Sequence, residues 1–201
     1  AGSSAGALYG GCFAFGLATD EIINKAISAY KKTNLLTLAR NLSLNFSGLM
    51  RHRHLKKIIE SLFDQKNIED ALIPFAAVAS DLYTGEAVTI KSGSAVEAIL
   101  ASNSAPVLLE PVLKDNFFLV DGASTMPIPT QVLIDENIDI KIAVYIPQLD
   151  LNVSINPNSK MIAIYARSHS VMARIISQSN RSLADITIYP EVSDIRVLDT
   201  K

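Results

Sequence analysis

Cysteine is nearly absent. Cys12 is the only one in 201 residues, which excludes an intramolecular disulfide and any metal site built on several thiolates. A reducing compartment, and with it a cytoplasmic location, is the natural expectation. An excess of one charge is missing as well: 18 Lys+Arg stand against 20 Asp+Glu, a net charge of −2. That balance, spread along the chain, gives no electrostatic footprint for DNA, RNA or a strongly anionic membrane surface. Long hydrophobic runs are also lacking, although the mean hydropathy is +0.26. The longest apolar stretch, Ala7 to Ala18, spans twelve residues and holds three glycines, against roughly 20 residues needed to cross a bilayer. No transmembrane segment is expected, and no basic segment followed by an apolar one opens the chain as a secretory signal would. Histidine is scarce too, with only His52, His54 and His169.

What is present alternates helical stretches with short β-branched runs, the pattern of an α/β domain. A single domain over residues 1–201 is expected, with a central, mostly parallel sheet flanked by helices. Ala5 to Ala18 reads as a small-residue helix, and Asp20 as the N-cap of a second helix through about Lys32. Leu55 to Phe63 carries a helical apolar stripe. Phe75 to Leu82 and Ala87 to Lys91 flank Tyr83-Thr84-Gly85-Glu86 as a hairpin, and Ser94 to Ser102 reads as a short helix. Phe117 to Val120, Ile140 to Ile146 and Ile186 to Tyr189 are apolar runs of the kind that suits strands buried on both faces. Ser159 to Leu183 reads as a long helix.

Gly2-Ser3-Ser4-Ala5-Gly6 matches G-x-S-x-G, in which a serine stands on a strained turn between a strand and a helix. Such a turn brings backbones too close for a Cβ, hence the glycines, and the helix N-terminus favours negative charge near the serine. By itself the pentapeptide is equally an ordinary Gly/Ser turn. A serine nucleophile needs a base, usually a histidine. His52 and His54 fall in Arg51-His52-Arg53-His54, a basic face that reads as solvated, and His169 falls inside the long helix. A carboxylate does the same work if burial lifts its pKa towards neutrality. Asp121 has the setting, at the end of the run Phe117 to Val120 and followed by Gly122; the dipeptide also reads as a plain tight turn. Asp20, Asp81 and Asp139 read as a cap, a strand-end turn residue and a loop residue. Leu8, Tyr9, Phe13 and Phe15, which follow the elbow, read as helix core or as the lining of an acyl channel.

Taken together these blocks resemble the patatin-like phospholipases, and more closely their bacterial branch related to neuropathy target esterase. Gly2-Ser3-Ser4-Ala5-Gly6-Ala7 is similar to the family's serine elbow, and Phe75 to Glu86 to its central hairpin. Ala98 to Pro106 and Glu110-Pro111-Val112 resemble the helix and proline loop before its aspartate. Val120-Asp121-Gly122-Ala123, followed by Pro127-Ile128-Pro129, is similar to its Asp-Gly-Gly/Ala block. The similarity runs from Gly2 to about Asp199, and 117 positions separate Ser4 from Asp121.

The resemblance implies a lipid acyl hydrolase in which Ser4 is the nucleophile and Asp121 its base. Gly2, Ala5, Gly6 and Gly122 would support the elbow and the oxyanion. It further implies a lipid or lysophospholipid substrate, transient contact with a membrane surface, and no metal or organic cofactor. In the family a first strand, a glycine-rich loop and a helix precede the elbow. A strand, helix and strand take roughly 30 residues, so about that many are expected upstream, with a second oxyanion donor among them. A further helix is expected after residue 201. The alternative expectation is a patatin-like domain without chemistry, used for binding or regulation.

Overall fold

The structure, a computed structural model, describes residues 1–31, 48–146 and 161–191. These fall in two compact units, Ala1–Thr125 and Met126–Lys201. The first unit opens with strand β1 (Gly2–Ser3), followed by helices α1 (Ala5–Ala14), α2 (Thr19–Lys31) and α3 (Arg53–Phe63). The hairpin β2 (Ala77–Asp81) and β3 (Ala87–Ile90) comes next, then helix α4 (Ala95–Ser102) and a second hairpin, β4 (Val112–Lys114) and β5 (Phe117–Asp121).

The α/β class holds. Within it the five-stranded sheet is mixed rather than mostly parallel: β1 runs parallel to β2, while β3 and β5 run antiparallel to β2 and β4 antiparallel to β5. For the β2–β3 and β4–β5 pairs the cause is local, since strands joined by tight turns must run antiparallel. Strand β4 lies outside the strand runs read from the sequence. Its available signal is Asp115-Asn116, both at positive φ (47° and 68°), the backbone of a two-residue hairpin turn.

Strand β2 is the centre of this unit, with all five residues buried. Helix α4 packs over it through Ala95, Ala98, Ile99 and Ala101, none of them exposed, beneath the N-cap Ser94, whose Oγ accepts from Glu97 N. Gly11 lets α1 settle on this layer: a Cβ there would lie 3.2 Å from both Ile99 and Phe63. Phe63, at the end of α3, meets Phe15 edge-on with ring centroids 5.3 Å apart. Helix α1 stops at Ala14, earlier than Ala18, because Gly16 (φ 82°) turns the chain so that Gly16 N bonds Phe13 O and Leu17 N bonds Cys12 O. That pair of bonds is a Schellman stop built on a left-handed glycine. Helix α2 starts at Thr19, so Asp20 stands inside its first turn rather than capping it; Lys32 lies outside the described residues.

The second unit holds helix α5 (Thr130–Asp135), strand β6 (Ile142–Val144), helix α6 (Met161–Arg181) and strand β7 (Ile186–Ile188). Strands β6 and β7 pair in parallel. Beside them Ile128, Ala143 and Tyr145 are buried in one cluster, with Ala184 packed against it. Ile142, Val144, Ile186 and Ile188 are all exposed, so these strands are covered on one face and not, as their apolar runs suggest, on both. Arg181 lies over the rings of Tyr145 and Tyr189, a cation–π contact. The expected start of α6 at Ser159 and the tail beyond residue 191 lie outside the described residues. No described helix is long and apolar enough to cross a membrane.

Candidate active site

The elbow is built by steric necessity. Gly2 N bonds Ala76 O at 3.0 Å and places β1 beside β2. A Cβ on Gly2 would then lie 2.3 Å from Gly6 O, so only glycine lets strand and helix approach this closely. Between them Ser4 adopts φ 54° and ψ −126°, a region that costs a non-glycine residue about 1–3 kcal/mol and that the surroundings must impose. Ala7 N and Leu8 N both bond Ser4 O, at 2.9 and 3.1 Å, and α1 begins. Gly6 has open space around its missing Cβ, so of the two elbow glycines only Gly2 is required by contact. Ser4 is half-buried, and Ala5 and Gly6 are exposed. The first N–H groups of a helix have no partner within it and lie at its positive end, so they face an anion favourably.

Asp121 is the last residue of β5 and is 5% exposed. Its Oδ1 accepts from Ala123 N at 2.8 Å, which closes a turn of 3₁₀ helix over Gly122–Ser124. Its backbone is held twice more: Asp121 N donates to Ser104 O at 2.9 Å, and Asp121 O accepts from Ser80 Oγ at 3.0 Å. A Cβ on Gly122 would lie 2.2 Å from Val78 O. Asp-Gly is therefore a close-packed junction against β2 and not a free surface turn.

The two motifs meet. A strand has two edges, and β3 takes one edge of β2 along residues 77–80. Strands β1 and β5 must share the other, where Ser3 pairs with Val78 and Asp121 with Ala79. They approach from opposite directions and end on successive residues of one strand, about 3.3 Å apart along it. The Cβ built on Gly122 would lie 3.0 Å from Ser3 Oγ. Asp121 therefore closes on the middle of β2, from an antiparallel strand, rather than at the carboxyl edge of a parallel sheet.

Two serines that sequence reading left without a role stand behind this junction. Ser102 Oγ donates to Val78 O at 2.6 Å and accepts from Ser4 N at 3.0 Å. Ser104 Oγ donates to Leu100 O at 2.8 Å and lies 3.1 Å from His52 Nε2. Both serines are wholly buried. The available signal was the pair of hydroxyls directly after the apolar run Ala98–Ala101, since a buried hydroxyl must find partners.

Residues 1–134 match the family model described as patatin-like phospholipase, a span that takes in every block from the elbow through Pro129. The chain belongs to the patatin-like phospholipase family. It is 34% identical over 144 residues to uncharacterised NTE family proteins of Mycobacterium bovis and Mycobacterium tuberculosis, covering 72% of this chain and 39% of each relative. A second Mycobacterium tuberculosis NTE family protein is 28% identical over 132 residues, 66% of this chain and 22% of the relative. The patatin-like chain thus spans well under half the length of the curated relatives it matches.

The remaining polar candidates make contacts of their own. His52 is half-buried rather than solvated, and burial pushes its pKa down. Its Nε2 lies 3.1 Å from Ser104 Oγ, with donor and acceptor set by the ring tautomer. Its ring is thus engaged with Ser104 rather than Ser4. His169 stacks on Tyr165 within α6. Cys12 is buried, which raises its thiol to about 11, so it stays protonated at neutral pH. Among the described residues no three His, Cys, Asp or Glu side chains cluster in a way that would hold a metal. Asp81 is a turn residue, bonded by Phe118 N, Tyr83 N, Thr84 N and Thr84 Oγ1. Of the four apolar residues after the elbow, Phe15 is core and Phe13 is 62% exposed. Leu8 and Tyr9 line an apolar groove of about 190 Å³ with Ile22, Leu55, Ile58 and Leu62.

Proposed function

We propose that this patatin-like chain is the catalytic part of a lipid acyl hydrolase working through a Ser4–Asp121 dyad. The observation that carries the reading is the meeting of β1 and β5 on one edge of β2, because a nucleophile and its base are useful only within hydrogen-bond reach of each other. In this reading the Asp121 carboxylate takes the hydroxyl proton as Ser4 Oγ attacks the ester carbonyl. The tetrahedral intermediate collapses, Asp121 returns the proton to the leaving alcohol, and an acyl-Ser4 ester remains. Water, deprotonated by Asp121, attacks that ester, and the proton returns to Ser4 as the fatty acid leaves. The Ala5 N–H, at the exposed start of α1, faces the developing oxyanion.

A lysophospholipid or phospholipid is the substrate class that fits the family. The groove beginning at Leu8, one helical turn beyond Ser4, supports it as a seat for part of an acyl chain. Tyr9 and Phe13 are exposed one turn apart on the same helix and supply an apolar face for transient contact with a lipid surface.

The test is fluorophosphonate labelling of the full-length protein with peptide mapping, alongside hydrolysis of a lysophospholipid. The expected result is one adduct, on Ser4, lost in Asp121→Asn together with turnover. Near-normal turnover in Asp121→Asn would overturn the dyad. A folded protein that neither labels nor hydrolyses would point to a domain used for binding.

A further inference from the structure

We propose that Ser102 is a positioning residue of this site: its hydroxyl fixes the strained backbone of Ser4 to β2, while the carbonyl of Ser104 fixes that of Asp121. The inference rests on the Ser4–Asp121 reading and adds what sets the spacing of the two groups.

A single hydroxyl has one proton and two lone pairs. At Ser102 the proton goes to Val78 O at 2.6 Å, and a lone pair receives Ser4 N–H at 3.0 Å. Val78 is the residue of β2 that pairs with Ser3, so one side chain ties Ser4, at the centre of the elbow, to the strand beside it. The bond acts where the backbone needs it, at a non-glycine residue with φ 54°. Two positions on, Ser104 O receives Asp121 N–H at 2.9 Å. Both attachments leave one rigid platform. Ser102 ends α4, which is anchored by buried Ala98, Ile99 and Ala101, and Asn103 Nδ2 bonds back to Ile99 O at 2.8 Å. Nucleophile and base come from motifs 117 positions apart, yet a segment of three residues holds the backbone of each.

This assignment has a chemical corollary. The N–H of Ser4 itself is engaged, so the elbow's anion-facing donors begin at Ala5. Removing the Ser102 hydroxyl frees Ser4 to relax out of its strained conformation and takes away the acceptor of Ser4 N–H. A displacement of about 1 Å in a reacting group costs up to about 100-fold in rate, and the loss falls on kcat because no substrate contact is removed.

The experiment compares Ser102→Ala, Ser102→Thr and Ser4→Ala in the full-length protein, with Ser177→Ala as a control that deletes a buried hydroxyl bonded only within its own helix. Activity and fluorophosphonate labelling are expressed per folded molecule, from the native fraction in a thermal melt. Ser102→Ala is expected to lose about 10- to 100-fold in kcat and in labelling rate, with KM within about twofold. Ser102→Thr keeps the hydroxyl and recovers most of the rate, and Ser177→Ala loses stability without losing kcat. Wild-type labelling and turnover in folded Ser102→Ala would overturn the proposal, as would a loss that Ser102→Thr fails to restore. If Ser102→Ala does not fold, Ser102→Cys, with its weak donor, carries the same reading: slower labelling per folded molecule supports the clamp, and wild-type labelling overturns it. Turnover surviving in Ser4→Ala would overturn the dyad itself, whereas a dead Ser4→Ala beside a fully active Ser102→Ala would sink only the clamp.

Discussion

The two sheets among the described residues both contain apolar, β-branched strands and differ in what covers them. Ala77–Asp81 is buried along its whole length, between α4 and neighbours on both edges. In β6 and β7, by contrast, Ile142, Val144, Ile186 and Ile188 face outward. Apolar content therefore does not decide burial; the layer packed over the strand does. The covered sheet is the one that carries the elbow and Asp121. A strained serine and a buried carboxylate persist only where surrounding structure over-determines them, as the core around β2 does.

The sharpest way to break this contrast is Gly122→Ala. Its Cβ would sit 2.2 Å from Val78 O, so the β5 junction must separate from β2. The expected cost exceeds about 4 kcal/mol, read as failure to fold or a collapsed midpoint in urea. A loss under about 1 kcal/mol would mean that the junction yields easily. Next comes Phe63→Ala, which empties a fully buried site beside Phe15 and Gly11 and should cost about 3–5 kcal/mol in the same measurement.

Asp81 probes the covered sheet electrostatically. Burial pushes its pKa up, but four hydrogen bonds, from Phe118 N first and then Thr84 and Tyr83, outweigh it and hold the carboxyl below its ordinary value. A carboxylate depressed on folding contributes stability that is complete above its unfolded pKa of about 4 and is lost as pH falls through the lower folded value. Asp81→Asn should therefore melt below the wild type at pH 7, and the gap should shrink as the pH is lowered under 4. A gap independent of pH would assign the loss to geometry alone.

Smallest are the changes in exposed positions. Ile142→Thr, on the open face of β6, should move stability by no more than about 0.5 kcal/mol; a loss comparable to that of Phe63→Ala would place a core where none is seen. Gly6→Ala should be neutral, or stabilising by up to about 1 kcal/mol through helix propensity, in contrast to Gly2.

Much of the fold was legible. The hairpin around Thr84-Gly85, the helix under Ser94 and the long helix in the second unit all follow from period and punctuation, which are local properties. The elbow was legible as a candidate, since Gly-Ser-Ser-Ala-Gly matches a known pattern, although only Gly2 proves sterically required. The misses have local causes too. Gly16 already marked the end of α1, and Asp115-Asn116 already marked the β4–β5 turn, but Pro111 and the shortness of β4 hid the strand. The half-open state of β6 and β7 had no local signal, because an apolar run reads the same whether one or two layers cover it.

The sequence by itself marked two candidates: a serine inside Gly-x-Ser-x-Gly, and an aspartate followed by glycine at the end of an apolar run. Tertiary structure alone decided that they belong to one place, and that the hydroxyl of Ser102 holds the elbow in its strained form. The reason is physical. Steric and conformational demands act between neighbours in the chain, whereas hydrogen bonds such as that from Ser4 to Ser102, 98 positions apart, exist only after the sheet has brought both ends together.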